Sequence, residues 1–166
     1  SMAFFQENPD EAIIWRGPMI HNAISQFLQQ TDWDELDYLV VDLPPGTSDS
    51  PLTVMQNLPM DGFVVVSTPQ DLANLDAKRC INMIRKLNLN VLGVVENYAG
   101  EIFGEGAGKD LAKEVDAPFL GTMALRGSYR DSSKPTALAD AEVGEEYATV
   151  ADNMRKSLRE FGRSAA

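Results

Sequence analysis

The stretch Tyr38-Leu39-Val40-Val41-Asp42-Leu43-Pro44-Pro45-Gly46-Thr47 decides how the rest of the chain is read. Its apolar run lacks polar alternation, as in a strand covered on both faces, and it ends in an acid followed by a stiff turn. At the carboxyl end of a parallel strand, doubly wound α/β folds bind ligands. Hydrated Mg²⁺ commonly takes one carboxylate there plus substrate phosphates, so Asp42 is the candidate Mg²⁺ residue, acting through water. The prolines fix φ, and Gly46 lets a backbone N–H approach an anion. Pro45, Gly46 and Thr47 thus make a loop able to sense a terminal phosphate. A plain strand-ending turn accounts for the same residues equally well from local sequence alone.

Outward from this stretch the pattern alternates β-rich runs with amphipathic ones, the mark of βαβ units in a parallel sheet. Gly62 to Ser67, Val91 to Glu96 and Pro118 to Thr122 join Tyr38 to Asp42 as strands expected in the sheet interior. Between them apolar residues recur at three and four: Ile20, Ala23, Ile24, Phe27 and Leu28 in one helix, Ala73, Ala77, Cys80, Ile81, Ile84 and Leu87 in another. Tyr147, Val150, Ala151, Met154, Leu158 and Phe161 predict a closing helix with Arg155, Lys156 and Arg159 towards its end, and residues 162–166 are expected to fray. The expected architecture is α/β, a parallel sheet flanked by helices, with residues 1–166 forming one partial domain.

Composition narrows the chemistry. The chain has 166 residues, 44% of them hydrophobic and 23% charged, which fits an ordinary globular domain. No apolar run approaches the roughly 20 residues of a membrane helix, and no basic-then-apolar leader opens the chain, so a cytoplasmic protein is expected. With 25 acidic against 14 basic residues and a net charge of −11, neither nucleic acid nor an anionic membrane is an expected partner. The single cysteine, Cys80, excludes an internal disulfide and sits on a helical apolar stripe, where a core role is expected. The single histidine, His21, has no nucleophile signature nearby and reads as an exposed helix residue.

The wording Asp42-Leu43-Pro44-Pro45-Gly46-Thr47, with Trp15-Arg16-Gly17-Pro18-Met19 before it and Thr68-Pro69-Gln70-Asp71 after it, closely resembles the Mrp-type, ApbC-like ATPases. These are iron-sulfur cluster carriers within the MinD and ParA class of P-loop proteins, and the resemblance runs from about Phe4 to Phe161. It implies that Asp42 is the Walker B acid near Mg²⁺ and that Pro44 to Thr47 form the switch loop that answers to the γ-phosphate of ATP. Val95-Glu96-Asn97 adds a match, in which Asn97 ends a strand and its amide recognises adenine; an Asn that merely terminates a strand is the plain alternative. Thr68, Pro69 and Gln70 are implied to line the nucleotide or the dimer surface, with Asp71 otherwise an N-cap. The family is normally a homodimer that delivers clusters to recipient apo-proteins.

Two departures qualify that resemblance. No Walker A is present: in Gly104-Glu105-Gly106-Ala107-Gly108-Lys109-Asp110, Phe103 and Asp110 stand where Gly and Ser or Thr are required, so this stretch is expected to be a flexible lead-in to a helix over Asp110 to Val115. The first strand, P-loop and first switch of the family pattern are expected to be missing, leaving a chain that alone neither binds ATP tightly nor hydrolyses it. The loss of that strand is expected to expose apolar edges that invite pairing with a second copy. The second departure is the Cys-x-x-Cys that typical members carry after Asn97, where this chain has Tyr98-Ala99-Gly100-Glu101-Ile102. An iron-sulfur cluster usually requires four thiolates, so cluster carriage at the usual site is doubtful and no ligand set is identified.

Three functions stay open: an Mrp-like cluster carrier ATPase, a ParA- or MinD-like partitioning or scaffold ATPase without a cluster, and a non-catalytic binding module. Trp15-Arg16-Gly17-Pro18 reads either as a functional surface or as a helix start. Asp49 and Ser50 read either as nucleotide-side residues or as helix-entry chemistry before Pro51.

Overall fold

The computed structural model describes residues 17–43, 51–52, 54–55 and 58–164. The chain divides into two compact units, Ser1–Pro59 and Met60–Ala166.

In the first unit, helix α1 spans Gly17–Gln30. After it the Trp33 indole Nε1 donates to the Leu28 carbonyl at 3.3 Å, and Asp34 takes a left-handed φ of 49°. The expected strand over Tyr38 to Asp42 is not formed: residues 38–43 carry no regular structure, and Val40 is 83% exposed. A strand needs a ladder to pair its N–H and C=O groups and a layer to cover its side chains, and among the described residues nothing supplies either. Residues 51, 52, 54 and 55 are helical, and the Leu58 amide donates to the Val54 carbonyl at 3.0 Å.

The second unit holds the sheet. Its order along the chain is β1 (Phe63–Ser67), α2 (Asp71–Lys86), β2 (Val91–Ala99), α3 (Ala107–Glu114), β3 (Phe119–Ala124), a 3₁₀ turn at Gly127–Arg130, α4 (Thr136–Ala139) and α5 (Ala141–Ser164). The three strands lie in the order β1-β2-β3, all parallel, with Ser67 opposite Glu96 and Glu96 opposite Thr122. Side chains of a strand alternate between faces. Val95 packs with Leu120, Met123 and the α5 residues Val150 and Met154, whereas Glu96 on the other face meets Gly108 of α3. Helices therefore flank the sheet on both sides. Ile81, Ile84, Val94, Leu120 and Val143 are fully buried, each worth about 1.5–3 kcal/mol relative to exposure.

Local chemistry sets the element ends. Helix α2 stops where Asn88 adopts a left-handed φ of 57°, its amide bonding Arg85 O at 3.0 Å while the Leu89 amide bonds Ile84 O at 3.1 Å. Asp71 is the first residue of α2 and not its N-cap; Gln70 holds the cap position without a side-chain bond. Strand β2 continues past Glu96 to Ala99, and β3 past Thr122 to Ala124. Helix α5 starts well before Tyr147 and continues through Ser164, so the expected fraying from residue 162 is not seen to that point. Its buried stripe also turns relative to the expected one: Val143 and Ser157 are buried, while Tyr147 and Ala151 are exposed. Two of its side chains reach into the sheet, with Ser157 Oγ donating to the buried Leu92 carbonyl at 2.7 Å and Asn153 Nδ2 to the Leu120 carbonyl at 2.9 Å.

Candidate functional site

The carboxyl ends of β1 and β2 bring together four residues that the sequence marks out. Ser67 pairs with Glu96, so Thr68, Pro69 and Gln70 leave β1 beside the position where Asn97 follows on β2. Ser67 Oγ donates to Asn74 Oδ1 at 2.8 Å and Thr68 Oγ1 to Gln70 Oε1 at 2.7 Å, which fixes this turn on the start of α2. Asn97 is half-buried, and its Oδ1 accepts the Tyr98 amide at 3.0 Å. That bond turns the chain, and Tyr98 takes a left-handed φ of 59°. Among the described residues nothing pairs with the Asn97 side-chain NH₂.

Beyond Tyr98 the backbone closes a tight hairpin. The Gly100 amide donates to Gly104 O at 3.0 Å and the Gly104 amide returns to Gly100 O at 2.7 Å, with Glu101, Ile102 and Phe103 at the tip. Gly100 and Gly104 have φ of 137° and 80°, values that L side chains rarely adopt. Ile102 at the tip is 75% exposed.

The glycine stretch after the hairpin is not a loose lead-in. Glu96, with no exposed surface at all, turns its carboxylate under the N-terminus of α3: Oε1 accepts the Gly106 amide at 2.8 Å and Oε2 the Gly108 amide at 2.6 Å. Helix α3 accordingly begins at Ala107, three positions before the expected Asp110, because its first amides already have an acceptor. The resemblance of Gly104 to Lys109 to a phosphate cradle thus has a physical content. The backbone does present amides to an anion, but the anion is a side chain of the same chain. Sequence reading missed Glu96; the only signal was an acid inside an otherwise apolar run with glycines ten and twelve residues on.

A second ionic cluster fastens the far side of the edge. The Arg126 guanidinium donates to Glu142 Oε2 at 2.7 Å and to Glu146 Oε1 at 2.5 Å, while Glu146 Oε2 accepts the Ala124 amide at 3.2 Å. The Glu146 hydrogen bond, with the charges of Glu146, Glu142 and Asp140, raises the Arg126 pKa further. Asp140 caps α5 through the amides of Glu142 and Val143, at 3.1 and 3.3 Å. Its carboxyl is held below the usual range by the Ser128 hydroxyl on its flank, then by these amides. Ser128 Oγ lies outside full hydrogen-bond geometry, so the amides are the firmer hold.

Asp42, the expected Mg²⁺ residue, is exposed in the first unit. Pro44, Pro45, Gly46, Thr47, Asp49 and Ser50 lie outside the described residues, as do Trp15, Arg16 and the His21 side chain. A lone carboxylate suits an ion that keeps several waters and takes its other ligands from phosphates. Among the described residues no group of three or more His, Cys, Asp or Glu side chains converges as a metal cage, and no helix is long and apolar enough to cross a membrane. Cys80 is half-buried on α2, and burial pushes its thiol pKa up, which disfavours the thiolate that metal ligation needs.

Parallel strands with helices on both faces place this unit in the α/β class, whose ligands gather at the carboxyl edge of the sheet. A family profile described as "ParA: NUBPL iron-transfer P-loop NTPase" matches residues 1–158. The iron-sulfur cluster carrier protein of Pseudomonas fragi is 46% identical over 153 residues, covering 84% of this chain and 53% of that protein. The iron-sulfur cluster transfer protein NUBPL of Dictyostelium discoideum is 40% identical over 169 residues, covering 93% and 52%. Among solved structures, a nucleotide-binding protein of Archaeoglobus fulgidus in complex with ADP is 38% identical, with a TM-score of 0.60 over 77% of this chain and 54% of that one. The cell division ATPase MinD of Pyrococcus furiosus, 16% identical with a TM-score of 0.66 over 87% of this chain and 63% of that one, shares the fold. The chain belongs to the ParA-type NUBPL iron-transfer P-loop NTPase family, and it spans about half the length of the curated relatives it matches.

Proposed function

We propose that this chain supplies the base-recognising edge, the Mg²⁺-holding acid and the γ-phosphate-sensing loop of an ATP-dependent iron-sulfur cluster carrier. The observation that carries the reading is the placement of Thr68 to Gln70 beside Asn97 at the carboxyl edge of a parallel sheet, in a chain 38% identical to a protein bound to ADP. Asn97 donates to the purine edge from its NH₂, and the turn at Thr68 to Gln70 lines the same edge. Asp42 holds Mg²⁺ through water, and Pro45, Gly46 and Thr47 respond to the terminal phosphate. When bound, Mg²⁺ offsets charge on the phosphates; the chain's own part is to place Asp42 at the end of its segment.

The 166 residues contain no Walker A, so base contacts dominate and the chain by itself binds adenine nucleotides only weakly, with a Kd of about 1 mM, or roughly −4 kcal/mol, and without turnover. Calorimetric or NMR titration with Mg-ADP and Mg-ATP tests this. Micromolar affinity or phosphate release by these 166 residues would contradict the inactivity, and no response of Asn97 at several millimolar would sink the base-recognition role.

A scaffold ATPase without a cluster is the second reading, favoured by the Gly100–Gly104 hairpin, which stands where typical relatives are expected to carry Cys-x-x-Cys. In the carrier reading the chain acts as a homodimer that passes a cluster to recipient apo-proteins, and Cys80 is the one thiol that the 166 residues offer it. Reconstitution with iron and sulfide separates the two: a stable cluster absorbance supports the carrier, and a protein that stays colourless supports the scaffold.

A further inference from the structure

The geometry points to Glu96 as a positioning residue whose carboxylate occupies the anion place beneath the glycine turn of α3 and thereby sets the pose of Asn97, the next residue on β2. The inference rests on the base-recognising role of Asn97 for its functional meaning, although the pose itself is measurable without nucleotide. Glu96 is wholly buried, paired through its backbone with both neighbouring strands, and its two oxygens divide between the amides of Gly106 and Gly108. The chain between those ends is short. It runs through Asn97 and the left-handed Tyr98 to the end of β2 at Ala99, crosses the Gly100–Gly104 hairpin and returns to Gly106, so the carboxylate ties the far end of the loop back to its own strand.

A glycine at 108 lets the helix approach until its position meets Glu96 Cβ, where a side chain would collide at 2.7 Å. The carboxylate is acceptor-only, and both facing groups are donors, so a neutral amide in its place would set an NH₂ against one of them. Buried N–H groups left without an acceptor are costly, and the loop would rearrange to find one. The first residue to move would be the one joined directly to Glu96, Asn97, whose Oδ1 accepts the Tyr98 amide.

The test uses the ¹⁵N-labelled 166-residue chain and two variants, Glu96→Gln and Glu96→Ala. In Glu96→Gln one of the amides of Gly106 and Gly108 is expected to exchange with solvent at least tenfold faster, and the side-chain NH₂ resonances of Asn97 are expected to shift while the β2–β3 amides stay in place. In Glu96→Ala both amides lose protection, and 100 mM formate, but not chloride at equal ionic strength, restores them and returns the Asn97 resonances towards their wild-type positions. Wild-type exchange at both glycines in Glu96→Gln, or an unmoved Asn97 once the loop has opened, would overturn the inference. Failure of Glu96→Gln to fold would overturn it too, since the carboxylate would then be holding up the sheet and not aiming a residue on its edge. Titrating the wild type with Mg-ADP keeps the two readings apart: an Asn97 that ignores nucleotide refutes its base-recognising role and leaves the exchange and formate results standing on their own.

Discussion

Gly108 lies against Glu96 so closely that a Cβ at position 108 would stand 2.7 Å from Glu96 Cβ and 3.2 Å from its Oε2. Neither atom belongs to a flexible side-chain end, because Glu96 is buried and held by two amides. Gly108→Ala is therefore expected to lose about 1–3 kcal/mol through overpacking, despite the better helix propensity of alanine. Gly127→Ala, where nothing lies within 4 Å, is the control and should stay within about 0.5 kcal/mol. Urea midpoints at unchanged slope measure both, and equal midpoints would refute the tight contact.

Ser157 binds the closing helix to the middle strand through the Leu92 carbonyl. Ser157→Ala leaves that carbonyl buried without a hydroxyl donor, so a loss of about 1–3 kcal/mol is expected, and Ser157→Val should be no better. Thermal melts of the two variants against wild type provide the check; a change smaller than about 0.5 kcal/mol would show that the strand carbonyl finds another partner.

Asp140 gives the acid limb of stability a definite sign. Its folded pKa lies below the unfolded value of about 3.9, so its contribution is fully present above that value and is lost as pH falls through the folded one. Asp140→Asn keeps an oxygen cap for the Glu142 and Val143 amides but carries no charge. The melting gap between wild type and this variant should be widest near neutral pH and narrow below about pH 4. A gap independent of pH would mean that the carboxylate charge contributes nothing.

Cys80 is expected to react slowly. Burial raises its thiol pKa, so the thiolate fraction at pH 7 is lower than in the unfolded chain. A disulfide reagent such as DTNB should modify the native protein far more slowly than the urea-unfolded protein, and Cys80→Ala should leave the absorbance after reconstitution with iron and sulfide unchanged. Cluster absorbance lost on that substitution would place Cys80 among the ligands.

Much of the second unit was legible in the sequence because its strands are short apolar runs bounded by turns, and its helices carry stripes at three and four. Val91 to Val95 could be read as buried on both faces without knowing what covers them. Tyr38 to Asp42 has the same composition and is not a strand here, since an apolar run states a preference for a layer but does not name the neighbour that supplies it. Thr68 to Gln70 and Asn97 follow paired residues of β1 and β2, a neighbourhood that the expected parallel order of the two runs implies. Glu96 was illegible for the opposite reason: its partners are backbone amides, which carry no residue signature, and Gly106 and Gly108 read as features of their own loop. The triad of Arg126, Glu142 and Glu146 likewise joins residues on different elements, and only the Glu142 and Glu146 spacing of one helical turn hinted at a shared face.

The bond from Ser157 to Leu92 also imposes an order of events on the ribosome. All three strands emerge before the helix segment that carries Ser157. At about 5–20 residues per second that interval lasts on the order of seconds, during which Val95, Leu120 and Met123 have no lid. A nascent sheet with one bare apolar side is prone to aggregate and to be held by chaperones, so the yield of this protein in a cell should depend on how quickly its last helix is translated.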